Sequence, residues 1–197
     1  MPKADRERVG VSESKASLEG WKARIPLISE GEAGESFVAD WSFSLPAQLD
    51  YAGLTYSLRS PLRVHAEKLG NGRTFFLEIR LSFSATAPCT RCLKETPLEI
   101  EGSFRYFYTS SAAEEGQKVD ETVVCYPQDA VEIDLSEQIW ESFILSLPEK
   151  VLCRDDCAGL CPRCGADLNE GDCGCSLQGN DPRLQVLKDI LPDVTEE

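Results

Sequence analysis

From Tyr56 to Ala66 the chain alternates in character. Tyr56, Leu58, Leu62, Val64 and Ala66 fall on one side of an extended strand, and Arg59, Arg63 and His65 fall on the other. Pro61 interrupts this run and marks an edge or a bulge, because proline lacks the N–H that a central ladder needs. After the turn signal Gly70-Asn71-Gly72, the run FFLEIRLSFSATA sets Phe75, Leu77, Ile79, Leu81, Phe83 and Ala85 against Glu78, Arg80, Ser82 and Ser84, which predicts a hairpin. A third strand follows a Cys-Thr-Arg-Cys turn, with Leu98, Ile100, Phe104, Tyr106 and Tyr108 on one face, and a fourth is expected over Glu121 to Tyr126. Strands with one apolar and one wet face build an antiparallel sheet.

The period then changes. In DLSEQIWESFILSLP, Leu135, Ile139, Trp140, Phe143, Ile144 and Leu147 form one helical stripe. Asp134 is placed to cap the helix, with Glu137 as its capping-box partner, and Pro148 stops it. This helix is expected to cover the sheet. Residues 151–180 show no periodicity and little aliphatic content, so they cannot bury a core of their own. Asp181-Pro182 then signals a last short helix with Leu184, Leu187 and Leu191 on one side. Residues 1–20 have the polar composition of a disordered leader. The expected fold is α+β: an antiparallel β domain with one covering helix over 21–150, and a cysteine-rich, loop-rich module ending in a short helix over 151–197.

Composition changes this picture in two ways. The N-terminus has no apolar signal-peptide core, and the chain has no unbroken apolar run of the ~18 residues that a membrane span needs, which predicts a cytoplasmic protein. In that reducing compartment nine cysteines are poor disulfide material and point to metal instead. Cys125 stands alone in a strand-like run and reads as a small buried apolar residue. The other eight make two sets of four. Cys161-Pro-Arg-Cys164-Gly165 has the form of a zinc knuckle, which Cys173-Gly174-Cys175 completes. Cys89 and Cys92, at a predicted hairpin tip, are a half-site that pairs with Cys153 and Cys157, clamping the tail onto the sheet. Two Zn²⁺ ions are expected. One zinc with spare thiols, an iron–sulfur cluster and a thioredoxin-like dithiol are the alternatives. The antiparallel setting disfavours the last, and the spacings disfavour the cluster.

All-cysteine sets are closed sites without an open position for chemistry. No nucleophile elbow or phosphate loop occurs, and the one histidine, His65, reads as a solvated surface residue. The expectation is a protein that is not an enzyme and has no small-molecule substrate. Its rivals are a metal-dependent RNA-processing enzyme and a thiol or zinc redox sensor. Charge is uneven: residues 1–110 carry 14 Lys+Arg against 14 Asp+Glu, while residues 111–197 carry 6 against 20. The acidic half repels phosphate and suits a basic protein partner. Residues 54–110 hold 8 Lys+Arg against 5 Asp+Glu. Within them Arg59 and Arg63 share the polar strand face, Lys68 and Arg73 flank the Gly70–Gly72 turn, and Arg91 and Lys94 sit around the first knuckle. These six are candidate RNA contacts, against the plainer reading of an ordinary solvated surface.

The tail LPEKVLCRDDCAGLCPRCGADLNEGDCGC, followed by DPRLQVLKDIL, resembles the YceD family of bacterial and plastid proteins associated with accumulation of large-subunit (23S) ribosomal RNA. The stretch GLCPRCGADLN at Gly159 to Asn169 carries the resemblance, with the Cys173–Cys175 pair, the helix end ILSLP at Ile144 to Pro148 and the upstream Cys89 to Leu93. It runs over roughly residues 54 to 191. The resemblance implies metal binding and a role in ribosome biogenesis, with precursor rRNA, a basic ribosomal protein or an assembly factor as partner. It implies no enzymatic activity and no defined RNA site.

Overall fold

The structure is a computed structural model that describes residues 9–10, 20–27, 37–70, 74–110 and 123–175. Its backbone is the hairpin of β7 (Thr74–Pro88) and β8 (Glu95–Thr109), paired without interruption from Thr74 opposite Thr109 to Pro88 opposite Glu95. On β7 the predicted alternation holds over the whole strand: Phe75, Leu77, Ile79, Leu81, Phe83, Ala85 and Ala87 are all buried.

Along the other edge of β7 lie β5 (Leu54–Leu58) and β6 (Leu62–Leu69), end to end. Leu58 pairs with Ala85 and Arg63 with Ser82, so five steps along one chain match three along β7, and two extra residues lie between them. This is the bulge that Pro61 predicted. Its ladder is repaired locally: Arg59 N–H donates to the Ser84 carbonyl at 2.8 Å, and Ser84 N–H donates to the Ser60 hydroxyl at 2.8 Å.

Outside this column runs a second one that the sequence reading did not assign, β3 (Phe37–Phe43) and β4 (Gln48–Tyr51), antiparallel to β6 and β5 respectively. The two columns form one long hairpin whose tip is the pair Ala52-Gly53, both at positive φ (49° and 78°). That is the geometry of a two-residue I′ turn, which matches the twist of the flanking strands. Two short pairs run parallel rather than antiparallel: β1 (Val9–Gly10) on β4, and β9 (Val123–Cys125) on β8. The sheet is thus mostly antiparallel. Val9 and Gly10 belong to its edge although they fall in the predicted leader; the remainder of residues 1–19 lies outside the described residues, as does the expected helix after Asp181. Cys125, expected inside, is exposed, because β9 is an edge strand.

A two-stranded ribbon, β2 (Arg24–Pro26) with β10 (Glu132–Asp134), delivers the chain to α1 (Ser136–Ser146). The helix buries Ile139, Trp140 and Phe143, and Phe143 meets Phe83 of the sheet with ring centroids 4.9 Å apart. Leu135 is the capping residue and makes no side-chain cap. Asp134 instead accepts the Ser136 N–H at 2.9 Å, a turn one residue earlier than the predicted capping box. Trp21 stacks on Phe43 and stands edge-on to Trp140, closing the end of the core. Gly102 makes the helix's approach possible: a Cβ there would lie 2.8 Å from the Phe104 ring and 3.2 Å from Ser146. After Ser146 the chain turns extended at Leu147 and crosses to the tip of the β7–β8 hairpin.

Candidate metal centres

The β7–β8 hairpin ends in the loop Cys89–Lys94. There Cys89 N–H donates to the Lys94 carbonyl at 2.8 Å, and Leu93 N–H donates to the Cys89 carbonyl at 2.9 Å, with Leu93 at φ 61°. In the tail, Cys161 N–H donates to the Ala166 carbonyl at 2.8 Å and Gly165 N–H to the Cys161 carbonyl at 2.8 Å, with Gly165 at φ 74°. The two loops are the same knuckle built twice. In each, the turn aims backbone N–H groups back at the first cysteine, where they stabilise a thiolate.

The sulfurs of Cys89, Cys92, Cys153 and Cys157 all lie within 4.8 Å of one another, as do those of Cys161, Cys164, Cys173 and Cys175. Both predicted sets are therefore assembled by the fold. Cys89 Sγ is 3.8 Å from Cys157 Sγ, and Cys92 Sγ is 3.6 Å from Cys153 Sγ. A disulfide needs about 2.05 Å. Four sulfurs held at about 2.3 Å from a central zinc sit about 3.8 Å apart at the edges of the tetrahedron, so the spacing suits a metal and not a disulfide.

The electrostatics agree. Cys89 is buried, which opposes ionisation, yet the N–H groups of Cys92, Arg91 and Cys153 bring its thiol down to about 6. Donation from the Cys164 and Arg163 N–H groups brings Cys161 down to about 6 against the cost of its own burial. The fourth members go the other way. Burial, and then Cys92, Cys157 and Cys89 close by, pushes Cys153 up to about 12, and the Cys164 and Cys173 sulfurs together with burial push Cys175 up to about 12. Four sulfurs this close ionise together only around a cation. Each set can hold one metal ion, and neither leaves a protein-free corner for substrate.

The bridging set is the more enclosed: Cys89, Cys92 and Cys157 are buried and pack with Leu152 and Leu160. Three straps fix the tail to the hairpin tip. Thr90 N–H and its hydroxyl both donate to the Val151 carbonyl (2.8 and 3.0 Å), Arg91 Nη1 donates to the Cys157 carbonyl at 2.7 Å, and Leu160 N–H donates to the Arg91 carbonyl at 3.1 Å. Gly159 lies under this contact at φ 79°, where a Cβ would come within 3.1 Å of the Arg91 carbonyl oxygen.

Asn169, which sequence reasoning passed over, ties the two sets together. Its Nδ2 donates to Cys157 Sγ at 3.5 Å and to Asp167 Oδ1 at 2.6 Å; its Oδ1 accepts from Ala158 N–H and from Arg154 Nη2, both at 2.8 Å. Reversing the amide would set its oxygen against a carboxylate, so these partners fix its orientation. Its place inside GLCPRCGADLN, between the cysteine pairs, was the available signal.

The six candidate RNA contacts do not form one patch. Arg59 and Arg63 are exposed, and Arg63 lines an open groove of about 820 Å³ on the wet face of the sheet together with Asp40, His65, Arg80 and Glu101. Lys94 is exposed at the hairpin tip, seven residues along from Glu101, which faces Ser82 and so Arg63, but only three from Pro97, which faces the Thr86 that Arg59 donates to at 3.1 Å. Lys68 is a correction: β6 runs on past it, and strict alternation carries it inward with Leu62, Val64 and Ala66. Its ammonium there donates to the Leu27 carbonyl at 3.0 Å and stands 4.8 Å over the Phe75 ring, and burial lowers its pKa. Arg91 is engaged with Cys157, and Arg73 lies outside the described residues. Arg80 and Arg105 share the wet face but both pair with Glu78, which they hold below the usual carboxylate range, the Arg80 hydrogen bond foremost. His65 Nδ1 lies 2.8 Å from Asp40 Oδ1. With the aspartate side chain 75% exposed, this is a solvated surface hydrogen bond and not a desolvated catalytic dyad. No helix among the described residues is long and apolar enough to cross a membrane.

Residues 77–191 match the family described as "Large ribosomal RNA subunit accumulation protein YceD", a span that takes in all eight clustered cysteines and Asn169. The chain belongs to that family. An uncharacterized protein of Mycobacterium tuberculosis is 33% identical over 112 residues, which is 52% of this chain and 49% of the relative. The chloroplastic "Large ribosomal RNA subunit accumulation protein YCED homolog 1" of Arabidopsis thaliana is 23% identical over 163 residues (70% and 51%), and its namesake in Zea mays is 27% identical over 133 residues (52% and 45%). This YceD-family chain therefore spans about half the length of the curated relatives it matches. No solved structure matches it.

Proposed function

We propose that this chain is a non-enzymatic zinc protein of the cytoplasm that supports the accumulation of large-subunit (23S) ribosomal RNA; its plant relatives are named as chloroplastic large ribosomal RNA subunit accumulation proteins. The observation that carries the reading is the pair of closed four-sulfur sets within the family-matched residues. Closed sets supply rigidity rather than chemistry: a structural zinc contributes on the order of 10 kcal/mol or more of apparent binding free energy to a segment that cannot bury a core. The rigid element is the tail, held at the tip of the β7–β8 hairpin. Its surroundings are acidic, and each four-thiolate zinc adds two further negative charges, so the tail side is suited to a basic ribosomal protein or assembly factor. Any contact with precursor rRNA falls to the exposed Arg59 and Arg63 of the sheet. Elemental analysis of protein purified without added metal is expected to find close to two zinc ions per chain. In cells depleted of the protein, large-subunit rRNA should fall and be restored by the intact chain, but not by Cys92→Ser. Iron in place of zinc, or full restoration by Cys92→Ser, overturns the reading.

A further inference from the structure

The two sets are separated by only three residues, Ala158 to Leu160, yet each is made of its own four ligands and its own knuckle. What joins them is a side chain. Asn169 belongs to the loop that Cys164 and Cys173 bracket, but it spends its amide on the other set. One hydrogen bond goes to the sulfur of Cys157 and one to the N–H of Ala158, the residue that follows that ligand. The loop conformation that aims it is set by the tail knuckle: Leu160 and Asp167 form an antiparallel bridge, Leu168 N–H donates to the Gly159 carbonyl at 2.9 Å, and Asp167 Oδ1 holds both the Asn169 backbone N–H (2.9 Å) and Nδ2. Leu160 packs against the bridging set and Asp167, Leu168 and Asn169 pack into neither hydrophobic cluster, so folding their loop back onto Gly159 and Leu160 falls to the tail ligands.

We infer that Asn169 couples the two centres, so that metal in the tail set places an N–H donor on Cys157 and thereby raises the metal affinity of the bridging set. A thiolate that accepts such a donor carries less uncompensated charge, and second-shell partners of this kind change metal affinity by roughly 10- to 100-fold. Linkage makes the effect reciprocal: metal in the bridging set fixes Cys157, fixes Asn169 in turn, and strengthens the tail set by the same factor. Asn169 is a positioning residue, since it acts through Cys157 and touches no metal itself. The inference rests on the reading that both sets bind metal.

The test is zinc competition against a chromogenic chelator with the full-length chain in three forms: all cysteines present, bridging set only (Cys164→Ser with Cys173→Ser), and tail set only (Cys153→Ser). Each form is measured with and without Asn169→Ala. With both sets present, Asn169→Ala is expected to lower the overall two-zinc constant about tenfold. In either single-set form it is expected to change the constant less than about twofold, because the interaction it removes exists only when both sets are formed. Asn169→Asp, which keeps the shape but loses the donor, should cost the intact form at least as much. An equal loss in a single-set form would show that Asn169 merely supports one loop, and no loss in the intact form would show that it carries no coupling; either result overturns the inference while leaving two-zinc binding standing. An intact chain that takes up fewer than two zinc ions overturns both.

Discussion

Leu93 and Gly165 hold the same place in the two knuckles, and only one of them suits it. Both sit at positive φ, where a side chain costs about 1–2 kcal/mol and glycine costs nothing sterically. Leu93 is 64% exposed, so its side chain returns little burial for that strain. Leu93→Gly is therefore expected to stabilise the protein by up to about 1 kcal/mol, part of the relief being offset by the greater freedom of glycine in the unfolded chain. Gly159→Ala should do the opposite, losing about 1–3 kcal/mol from tail docking, because it combines a positive φ with a close approach to the Arg91 carbonyl. Denaturant unfolding of the zinc-loaded protein reads both, and opposite signs are the expected result. At this scale the ligands were legible, because cysteine pairs at knuckle spacing have few other uses. Asn169, Gly159 and Arg91 were not, because what singles them out is a neighbour from another part of the chain. Lys68 was misplaced for a related reason: a lysine beside a turn reads as solvated unless the strand is known to continue through it.

At the scale of elements, the β7–β8 hairpin is the arm on which the bridging set is mounted. Cys89 and Cys92 come from its tip, Cys153 and Cys157 from the tail, and the tail set draws nothing from the sheet. Cys92→Ser should therefore release residues 151–175 as a unit, whereas Cys164→Ser should loosen only the loop beyond Cys157. Limited proteolysis distinguishes them: new cuts near Leu152–Asp156 are expected for the first variant alone, and identical patterns would contradict the pairing. The strands that the alternation predicted are those flanked by clear turn signals or cysteine pairs. The column β3–β4 alternates equally well, with Phe37, Ala39, Trp41 and Phe43 against Val38, Asp40 and Ser42, but its turn is Ala52-Gly53 rather than Asn-Gly. The turn forces Ala52 into a conformation that alanine seldom adopts, and so it carries no sequence signature. Direction is equally invisible: a three-residue strand such as β9 has the same pattern whether it runs parallel or antiparallel.

Across the whole molecule, two tyrosine hydroxyls tie the sheet to the helix and the segment that leaves it, and a third tyrosine is buried within the sheet. Tyr56 donates to the Pro148 carbonyl where the chain leaves the helix, and Tyr106 meets the Gln138 carbonyl and Ser142 on the helix itself. Tyr108 stacks on Phe75 with its hydroxyl buried. Burial, with Tyr51 and Glu149 adding to it, pushes Tyr56 up to about 12. Burial likewise pushes Tyr106 up to about 12 against the opposing Ser142 hydrogen bond, and Tyr108 is raised further by the same cause. Folding thus favours the protonated phenols relative to an unfolded value of about 10, so their contribution to stability is complete below pH 10 and is lost as the pH climbs from 10 to 12. Alkaline titration is expected to show tyrosinate absorbance and loss of near-ultraviolet dichroism together in that window; tyrosinate appearing with the fold intact would contradict the assignment. The sheet-plus-helix class was visible from the change of hydrophobic period, while these cross-layer hydroxyls depend on how the layers meet. The bridging set also joins cysteines 61 and 68 residues apart in the chain. During synthesis at about 5–20 residues per second, Cys89 and Cys92 leave the ribosome some 3 to 14 seconds before their partners, so they begin life as an open dithiol. Any metal ion that the hairpin tip meets in that interval finds two of its four ligands, and the ring closes only once the tail has followed.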